Sequence, residues 1–257
     1  MSLTYETNEH IALITIDREK ALNSIDLDTW QELSEAIDRL NNEDDSWVGI
    51  ITGAGEKAFC AGADLRTTIP RLIDDPVNKP YDEPPTIWRG QTATKPLIAA
   101  INGMALGGGL EIVLACDLRI AAEHSTFGSP EVKLGFIPGW GGTQRLPRQL
   151  PWAIASQICL TGDPITAEEA LRYGLINQIV PGNEVLATSQ KLAATLCERG
   201  PLAIKAGKRA MEEGMQMTLS QGLELEHQLF DELAYTADAK EGVAAFIERR
   251  TAEFEGR

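Results

Sequence analysis

Two glutamates in glycine-rich surroundings have the clearest potential for chemistry in this chain. Glu111 lies in an apolar run, and Glu131 follows twenty residues later in a turn. Burial raises the pKa of a carboxyl group, and a raised pKa marks a candidate acid or base. Two such groups suit general acid–base chemistry, in which one accepts a proton and the other donates one. The alternatives are a first-turn Glu111 facing the helix dipole and a surface-turn Glu131.

Three consecutive glycines, Gly107 to Gly109, precede the helix that carries Glu111. Uncovered backbone N–H groups at the start of a helix can bind an oxyanion or a phosphate. The segment is not a dinucleotide fingerprint or a P-loop, because it lacks the third glycine of the first and the Gly–Lys–Ser/Thr of the second. The alternative is a tight strand-to-helix crossing, in which glycine only relieves steric crowding.

Two further glycine-punctuated turns flank these residues. Gly62, between Ala61 and Ala63, would let a ligand lie against the backbone, although an ordinary loop has the same composition. Gly139 to Gly142 follow Glu131 and would let the backbone approach whatever that carboxylate faces.

The elements that position these turns alternate between strand and helix, which indicates an α/β core. Asp26 is the predicted N-cap of the first helix, and Thr166 and Glu169 form a predicted capping box before a helix followed by Gly174. Another helix is predicted from about Gly109 to Ala115. The predicted strands are His10–Ile16, Val48–Gly53, Leu97–Ile101, Leu118–Ala122 and Leu175–Val180.

Two regions depart from this alternation. Thr67 to Lys95 contains five prolines and is predicted to be a long irregular segment. From about Glu184 onward the pattern is helical, with an apolar stripe that needs a surface to bury against and a last helix capped by Asp238 and Glu241. The stripe consists of Leu219, Leu223, Glu226, Phe230 and Leu233. The sequence shows no internal repeat.

Composition narrows the classes of function. A chain of 257 residues with 43% hydrophobic residues can bury a core as one large domain or a core with an appendage. Its net charge of −15 disfavours nucleic acid as a partner. The four cysteines have neither disulfide-framework nor zinc-site spacing, which favours reduced thiols and a cytoplasmic location. The sequence predicts no secretion signal and no membrane span.

Five segments together resemble the crotonase (enoyl-CoA hydratase/isomerase) superfamily over nearly the whole chain. They are Lys20–Asn23, Ala61–Asp64, Asn102–Gly109, Gly139–Leu146 and Ala245–Arg249. The resemblance implies an α/β fold with a spiral of ββα repeats over residues 1–190. It also implies a C-terminal helical trimerisation region over residues 191–257, giving a homotrimer or a dimer of trimers.

The resemblance also implies an acyl-CoA thioester as the substrate. The backbone N–H groups of Ala63 and Gly108 would form the oxyanion hole for the thioester. Phe246 and Arg249 match positions that reach CoA, commonly from a neighbouring subunit. The remaining residues implied to bind CoA are Lys20, Ala21, Leu22, Ala61, Asp64 and Leu65.

Hydratases of this family have two glutamates beside the substrate double bond, matching Glu111 and Glu131. The implied reaction is the reversible addition of water to a 2-enoyl-CoA. Glu111 would mainly hold the water, Glu131 would supply the Cα proton, and the Gly139 N–H would polarise the same water. No metal or redox cofactor is expected, because coenzyme A is part of the substrate.

Some residues depart from the family pattern. Asp17 and Glu19 replace an Asn and a Pro, which affects only contacts at the edge of the CoA site. Trp140 replaces a small residue, and its indole would either narrow the acyl pocket or point into the core. With the proline-rich segment, it favours a short, branched or cyclic acyl group.

Three kinds of alternative to a hydratase are open at this point. An enoyl-CoA isomerase, another acyl-CoA enzyme of the family, or a dehydratase running in reverse would keep the same motifs. A non-catalytic acyl-CoA-binding protein would keep the binding residues only. A Clp-type peptidase would share the spiral fold, but it needs a nucleophile–His–Asp set, and His10, His124 and His227 lie outside the recognised motifs.

Overall fold

The computed structural model describes residues 2–74 and 85–257, which form two β-sheets with helices packed around them. The first sheet has the order β1-β2-β3-β5-β7-β10 and the second the order β4-β6-β8-β9. The strands are β1 (Leu3–Asn8), β2 (Ile11–Ile16), β3 (Val48–Gly53), β4 (Ala58–Cys60), β5 (Leu97–Ile101), β6 (Met104–Leu106), β7 (Leu118–Ala122), β8 (Thr126–Gly128), β9 (Ile165–Thr166) and β10 (Gln178–Val180).

From β3 to β8, successive strands alternate between the two sheets. β3, β5 and β7 pair in parallel in the first sheet, and the strand that follows each of them lies in the second, where β4, β6 and β8 also pair in parallel. This arrangement is the predicted ββα repeat. It is a repeat of structure without a repeat of sequence.

Ten helices are present in the described part of the chain, and the last four follow one another without an intervening strand. They are α1 (Leu27–Asn42), α2 (Thr68–Asp74), α3 (Gly108–Ala115), α4 (Gly142–Gln149), α5 (Trp152–Thr161), α6 (Ala167–Arg172), α7 (Val185–Cys197), α8 (Pro201–Gly214), α9 (Leu219–Ala234) and α10 (Ala237–Glu248). Within the described ranges, no helix is both long enough and apolar enough to cross a bilayer.

The first sheet is covered on both faces, which explains why β3 is buried at every residue. Because side chains alternate along a strand, Ile51 faces one apolar core and Ile50 the other. The larger core includes Leu33 of α1, and the smaller is closed by Val185 and Ala193 of α7. Burial on both faces fits the apolar run that predicted this strand.

Local helix signals were confirmed where side chains cap the backbone. The Asp26 carboxylate accepts the N–H of Thr29 at the start of α1. Thr166 and Glu169 form a reciprocal capping box before α6, and Gly174 follows that helix with φ +80°. These signals depend on neighbours in sequence, so they are legible without the fold.

Three local predictions need correction. The strand predicted at Leu175–Val180 contains only Gln178–Val180, because the Leu175 N–H bonds Ala170 O and completes the end of α6. The N-cap of α10 is Thr236, whereas Asp238 accepts the N–H groups of Glu255 and Gly256.

The third correction concerns the segment predicted to be irregular. It begins with α2, residues 68–74, and its centre, residues 75–84, lies outside the described residues. Smaller differences are a one-residue shift at the starts of β2 and α3, and β1, which the sequence did not signal.

The helical C-terminal region was predicted correctly, and much of its apolar surface is exposed on the single chain. Leu219 and Phe230 of α9 and Val243, Phe246 and Ile247 of α10 are all exposed. α7 runs through residue 190, so the division of the chain at that point stays a prediction.

Candidate active site

A cavity of about 250 Å³ lies where β4, α3 and the turns that follow β8 meet. One wall is backbone, from Gly62, Ala63, Gly107 and Gly108, and the two carboxylates face the same space. Apolar side chains form the rest of the lining, among them Leu65, Ile69, Leu134, Phe136 and Ile137. The structure therefore brings Ala61 and Trp140, which belong to motifs far apart in the sequence, to one cavity.

The N-terminus of α3 packs directly on the turn after β4. A Cβ atom at Gly109 would lie 2.0 Å from Cys60 O, and one at Gly62 would lie 2.9 Å from Leu106 O. Gly107 has φ +55°, a conformation that side chains rarely adopt. The glycines thus allow a close backbone approach, which was the alternative explanation for their presence, and this approach also builds the cavity wall.

Two backbone N–H groups in this wall lack a partner from regular structure. Gly108 is the first residue of α3, where an N–H has no intrahelical acceptor. Ile25 pairs with the 62–64 turn by donating to Gly62 O and accepting from Asp64 N. Successive N–H groups of extended backbone point to opposite sides, so the N–H of Ala63 points away from Ile25.

Glu111 is almost completely buried, with 2% of its surface exposed. Its Oε1 accepts two hydrogen bonds, from the backbone N–H groups of Trp140 and Gly142, each at 2.7 Å. Burial raises the pKa of this carboxyl to about 7, although the Gly142 N–H opposes the rise, and the charge of Glu131 adds to it. Glu111 is therefore oriented and poised to exchange a proton near neutral pH.

Glu131 lies in the short 3-10 turn Pro130–Leu134 and faces the glycine turn before α3. A Cβ atom at Gly107 would lie 3.0 Å from Glu131 Oε1. Its Oε2 is buried and has no hydrogen-bond partner among the residues that the structure describes. Burial raises the pKa of this carboxyl as well, because it penalises the charged form.

Trp140 both lines the cavity and packs into the core, so the two sequence alternatives for it are compatible. Its ring stacks on Trp88 with centroids 4.7 Å apart and meets the edge of Trp30 at 4.9 Å. These contacts fix the indole against the cavity wall, beside Gly108. The side chain therefore has little freedom to move aside for a ligand.

The two early segments predicted to bind CoA lie next to each other in the structure. Lys20 and Ala21 belong to a short 3-10 turn, and Leu22 O accepts the N–H of Ala61 at 3.0 Å. Asp64 bonds the Arg18 guanidinium at 3.0 Å, so its carboxylate has a structural partner. The adjacent Leu65 is exposed and lines the cavity.

The two predicted C-terminal CoA residues are elsewhere. Phe246 is on α10 and is 85% exposed, and Arg249 ends that helix in a left-handed conformation. Neither is among the described residues that line the cavity. A single chain does not bring them to it.

Sequence reasoning missed several groups that build the site. The N–H groups that bond Glu111 come from Trp140 and Gly142, whereas the predicted Gly139 lines the cavity and is not one of these two donors. The Arg145 guanidinium, behind this turn, bonds the carbonyls of Ile87, Trp88 and Trp140. The paired glycines at 141 and 142 were the available signal for the tight turn.

The three histidines lie apart from the cavity. His10 stacks on Trp47, His124 bonds Glu56 O, and His227 lies 3.6 Å from Asp231 on α9. No cluster of three or more His, Cys, Asp or Glu able to hold a metal occurs in residues 2–74 and 85–257. The expectation that the enzyme needs no cofactor stays a prediction.

Comparison with known proteins identifies the family. A sequence profile of the enoyl-CoA hydratase/isomerase family matches residues 6–257. The chain belongs to this family. Its relatives bear out the activity predicted from the sequence, that of an enoyl-CoA hydratase.

Three similar proteins extend over the whole chain or nearly so. (E)-benzylidenesuccinyl-CoA hydratase of Thauera aromatica is 42% identical and covers 100% of both chains. Short-chain-enoyl-CoA hydratase of Clostridium acetobutylicum is 41% identical, covering 96% of this chain and 95% of its own. The crystal structure of enoyl-CoA hydratase from Bacillus anthracis superimposes with a TM-score of 0.93 at 38% identity, over 100% of both chains. The spiral fold predicted from the sequence is confirmed.

Proposed function

We propose that this enoyl-CoA hydratase adds water reversibly across the 2,3-double bond of a short 2-enoyl-CoA, with Glu111 and Glu131 as its acid–base pair. The supporting observation is the arrangement of Glu111, which is buried, fixed by two peptide N–H groups and turned toward a cavity that it shares with Glu131. An isolated buried carboxylate is costly, so such an arrangement favours a functional role.

The thioester carbonyl binds between the N–H groups of Ala63 and Gly108. Attack of water at Cβ moves electron density onto the thioester oxygen, and two preorganised donors stabilise the charge that develops there. The donors belong to a turn and a helix start that pack tightly on each other, so their spacing is fixed before substrate binds.

Glu111 holds the water through the oxygen that its peptide donors leave free, and accepts a proton from it as the C–O bond forms. Glu131 in its protonated form donates a proton to Cα, and burial shifts its pKa upward, in the direction that this role requires. The two carboxyls then return to their starting states by exchanging protons with solvent, and the reverse sequence dehydrates the product. Gly139 polarises the same water through its N–H.

The acyl group is short, branched or cyclic. A volume of about 250 Å³ is below the ~300–1,000 Å³ usual for ligand pockets, and the fixed indole of Trp140 forms one of its walls. Two relatives of nearly equal identity are named for a short-chain and for a benzylidenesuccinyl substrate, so overall identity does not select between acyl groups. The wall residues do.

CoA extends from this cavity along the turn formed by residues 20–22 and 61–65. Phe246 and Arg249 reach CoA bound to a neighbouring subunit, because on their own chain they lie away from the cavity. The exposed apolar side chains of α9 and α10 support a homotrimer or a dimer of trimers, since exposed patches of this kind mark interfaces. The cytoplasmic location stays a prediction.

The test is hydration of crotonyl-CoA, followed by loss of enoyl-thioester absorbance, with Glu111→Gln and Glu131→Gln. Each amide keeps the shape of its side chain but removes the titratable group, and we expect kcat to fall by at least about 10²–10⁴-fold while the CoA thioester still binds. Glu123→Gln, an exposed glutamate, is the matched control. Near-native turnover by either active-site variant would contradict the assigned role.

A further inference from the structure

The turn of residues 139–142, which donates hydrogen bonds to Glu111, is itself bonded by the guanidinium of Arg145. Arg145, in α4, donates from Nη1 to Trp140 O at 3.2 Å and to Trp88 O at 3.2 Å, and from Nη2 to Ile87 O at 3.0 Å. The backbone of Trp140 is therefore fixed at both of its polar groups, since its N–H bonds Glu111 and its C=O bonds Arg145.

The local backbone is shaped to admit this guanidinium. A Cβ atom at Gly141 would lie 2.0 Å from Arg145 Nη1, and Gly141 has φ +109°, which disfavours any side chain. Arg145 does not line the catalytic cavity and lines a separate one beside Arg148 and Gln149. It therefore acts through the turn and not on the substrate.

We propose that Arg145 is the positioning residue for Glu111, locking the 139–142 turn to the Ile87–Trp88 segment so that two peptide N–H groups stay aimed at one carboxylate oxygen. This inference rests on the proposed role of Glu111. The planar fork of arginine is what the arrangement requires, because three carbonyls in different directions are bonded at once. Lysine carries the same charge but has no such fork.

The guanidinium has a second effect through its charge. It lies near enough to Glu111 to favour the ionised carboxylate, against the opposing effects of burial and of Glu131. The other charged or titratable groups that interact electrostatically with Arg145 or Glu111 are Cys116, Arg119, Cys159 and Glu212. A neutral residue at position 145 should therefore raise the apparent pKa of the glutamate pair. Lysine, which keeps the positive charge, should leave that pKa unchanged.

The experiment compares Arg145→Gln, Arg145→Lys and the control Arg148→Gln with crotonyl-CoA over pH 5–9. Arg148 is exposed one turn later on α4, and its hydrogen bonds within the described part of the chain go to Gln144. A catalytic group displaced by about 1 Å costs about 10²-fold in rate, so we expect this loss in kcat for both Arg145 variants with KM nearly unchanged. The acid limb of the profile of kcat against pH should shift to higher pH in Arg145→Gln and stay in place in Arg145→Lys.

Two results would overturn the proposal. One is wild-type kcat in a folded Arg145→Lys, which would show that charge suffices and that the fork positions nothing. The other is a loss expressed only as a raised KM with the pH profile unmoved. Thermal unfolding of each variant shows whether it is folded. If Arg145→Gln is not folded, the kcat of Arg145→Lys tests the proposal. Absence of turnover in the wild-type protein would contradict the proposed function instead.

Discussion

The indole of Trp140 occupies the space where a side chain at Gly108 would lie. A Cβ atom at position 108 would be 2.2 Å from Cζ3 of that ring, far inside van der Waals contact. Trp140 is also stacked on Trp88, so it has no room to retreat. Gly108, the proposed oxyanion-hole donor, and Trp140, which lines the same cavity, are thus sterically matched.

Gly108→Ala should therefore impair the site severely. The added methyl must displace either the ring of Trp140, the residue whose backbone N–H orients Glu111, or the Gly108 N–H. Loss of one oxyanion-hole donor typically costs about 10²–10³-fold in kcat, and we expect a loss of that size in initial rates with crotonyl-CoA. The control is Gly207→Ala on α8, where a Cβ atom would have nothing within 4 Å. Wild-type rates in Gly108→Ala would mean that the Trp140 ring moves to admit the methyl group without disturbing the site.

Glu111 should make the protein less stable as pH rises. Its pKa is about 7 in the folded protein against 4.5 ordinarily, so folding favours its protonated form. That contribution is fully present below about pH 4.5 and is lost as pH rises through 7. The free energy of unfolding of Glu111→Gln should consequently exceed that of the wild type by up to about 3 kcal/mol at pH 8. At pH 4.5 the two free energies should be nearly equal.

Urea unfolding at both pH values and one protein concentration measures this difference, with Glu123→Gln as the control. A variant no more stable than wild type at pH 8 would show that the carboxylate is better stabilised in the fold than its burial implies.

Replacing Trp140 should change which acyl groups are accepted. Trp140→Leu removes the fixed wall, so we expect kcat/KM for a long-chain 2-enoyl-CoA to rise about tenfold relative to crotonyl-CoA, the scale of one or two methylene groups. Loss of the stacked ring should also cost about 3 kcal/mol of stability. Trp152→Leu, a ring that is 76% exposed, is the control. An unchanged selectivity ratio would place the specificity wall elsewhere.

A charge in the apolar stripe of α9 should disrupt assembly. Phe230 is 69% exposed on the single chain, and Phe230→Glu would bury an unpaired carboxylate in the proposed interface. We expect light scattering to show a shift from three or six times the 28.0 kDa chain mass to the mass of one chain. Gln228→Glu adds the same charge on the opposite side of the helix, where both masses should match the wild type. An intact oligomer in Phe230→Glu would exclude this stripe from the interface.

Much of the fold was legible in the sequence because its signals are local. The Asp26 cap and the Thr166 capping box depend on residues three apart, and the buried β3 strand appears as an apolar run. Errors occurred where a distant contact decided the outcome. Asp238 looked like a helix cap, but its carboxylate is bound by the C-terminal segment, which reaches it only in the folded chain.

The sequence by itself determined the family and the hydratase activity, because five ordered motifs and two glutamates together resemble those of crotonase-family hydratases. Only the tertiary structure showed how Glu111 is held, since its donors are backbone N–H groups, which every residue type except proline possesses. The same holds for Arg145, whose acceptors are carbonyls up to 58 positions away in the chain. Residue types do not reveal which backbone groups will bond a given side chain, so only the folded structure shows these partners.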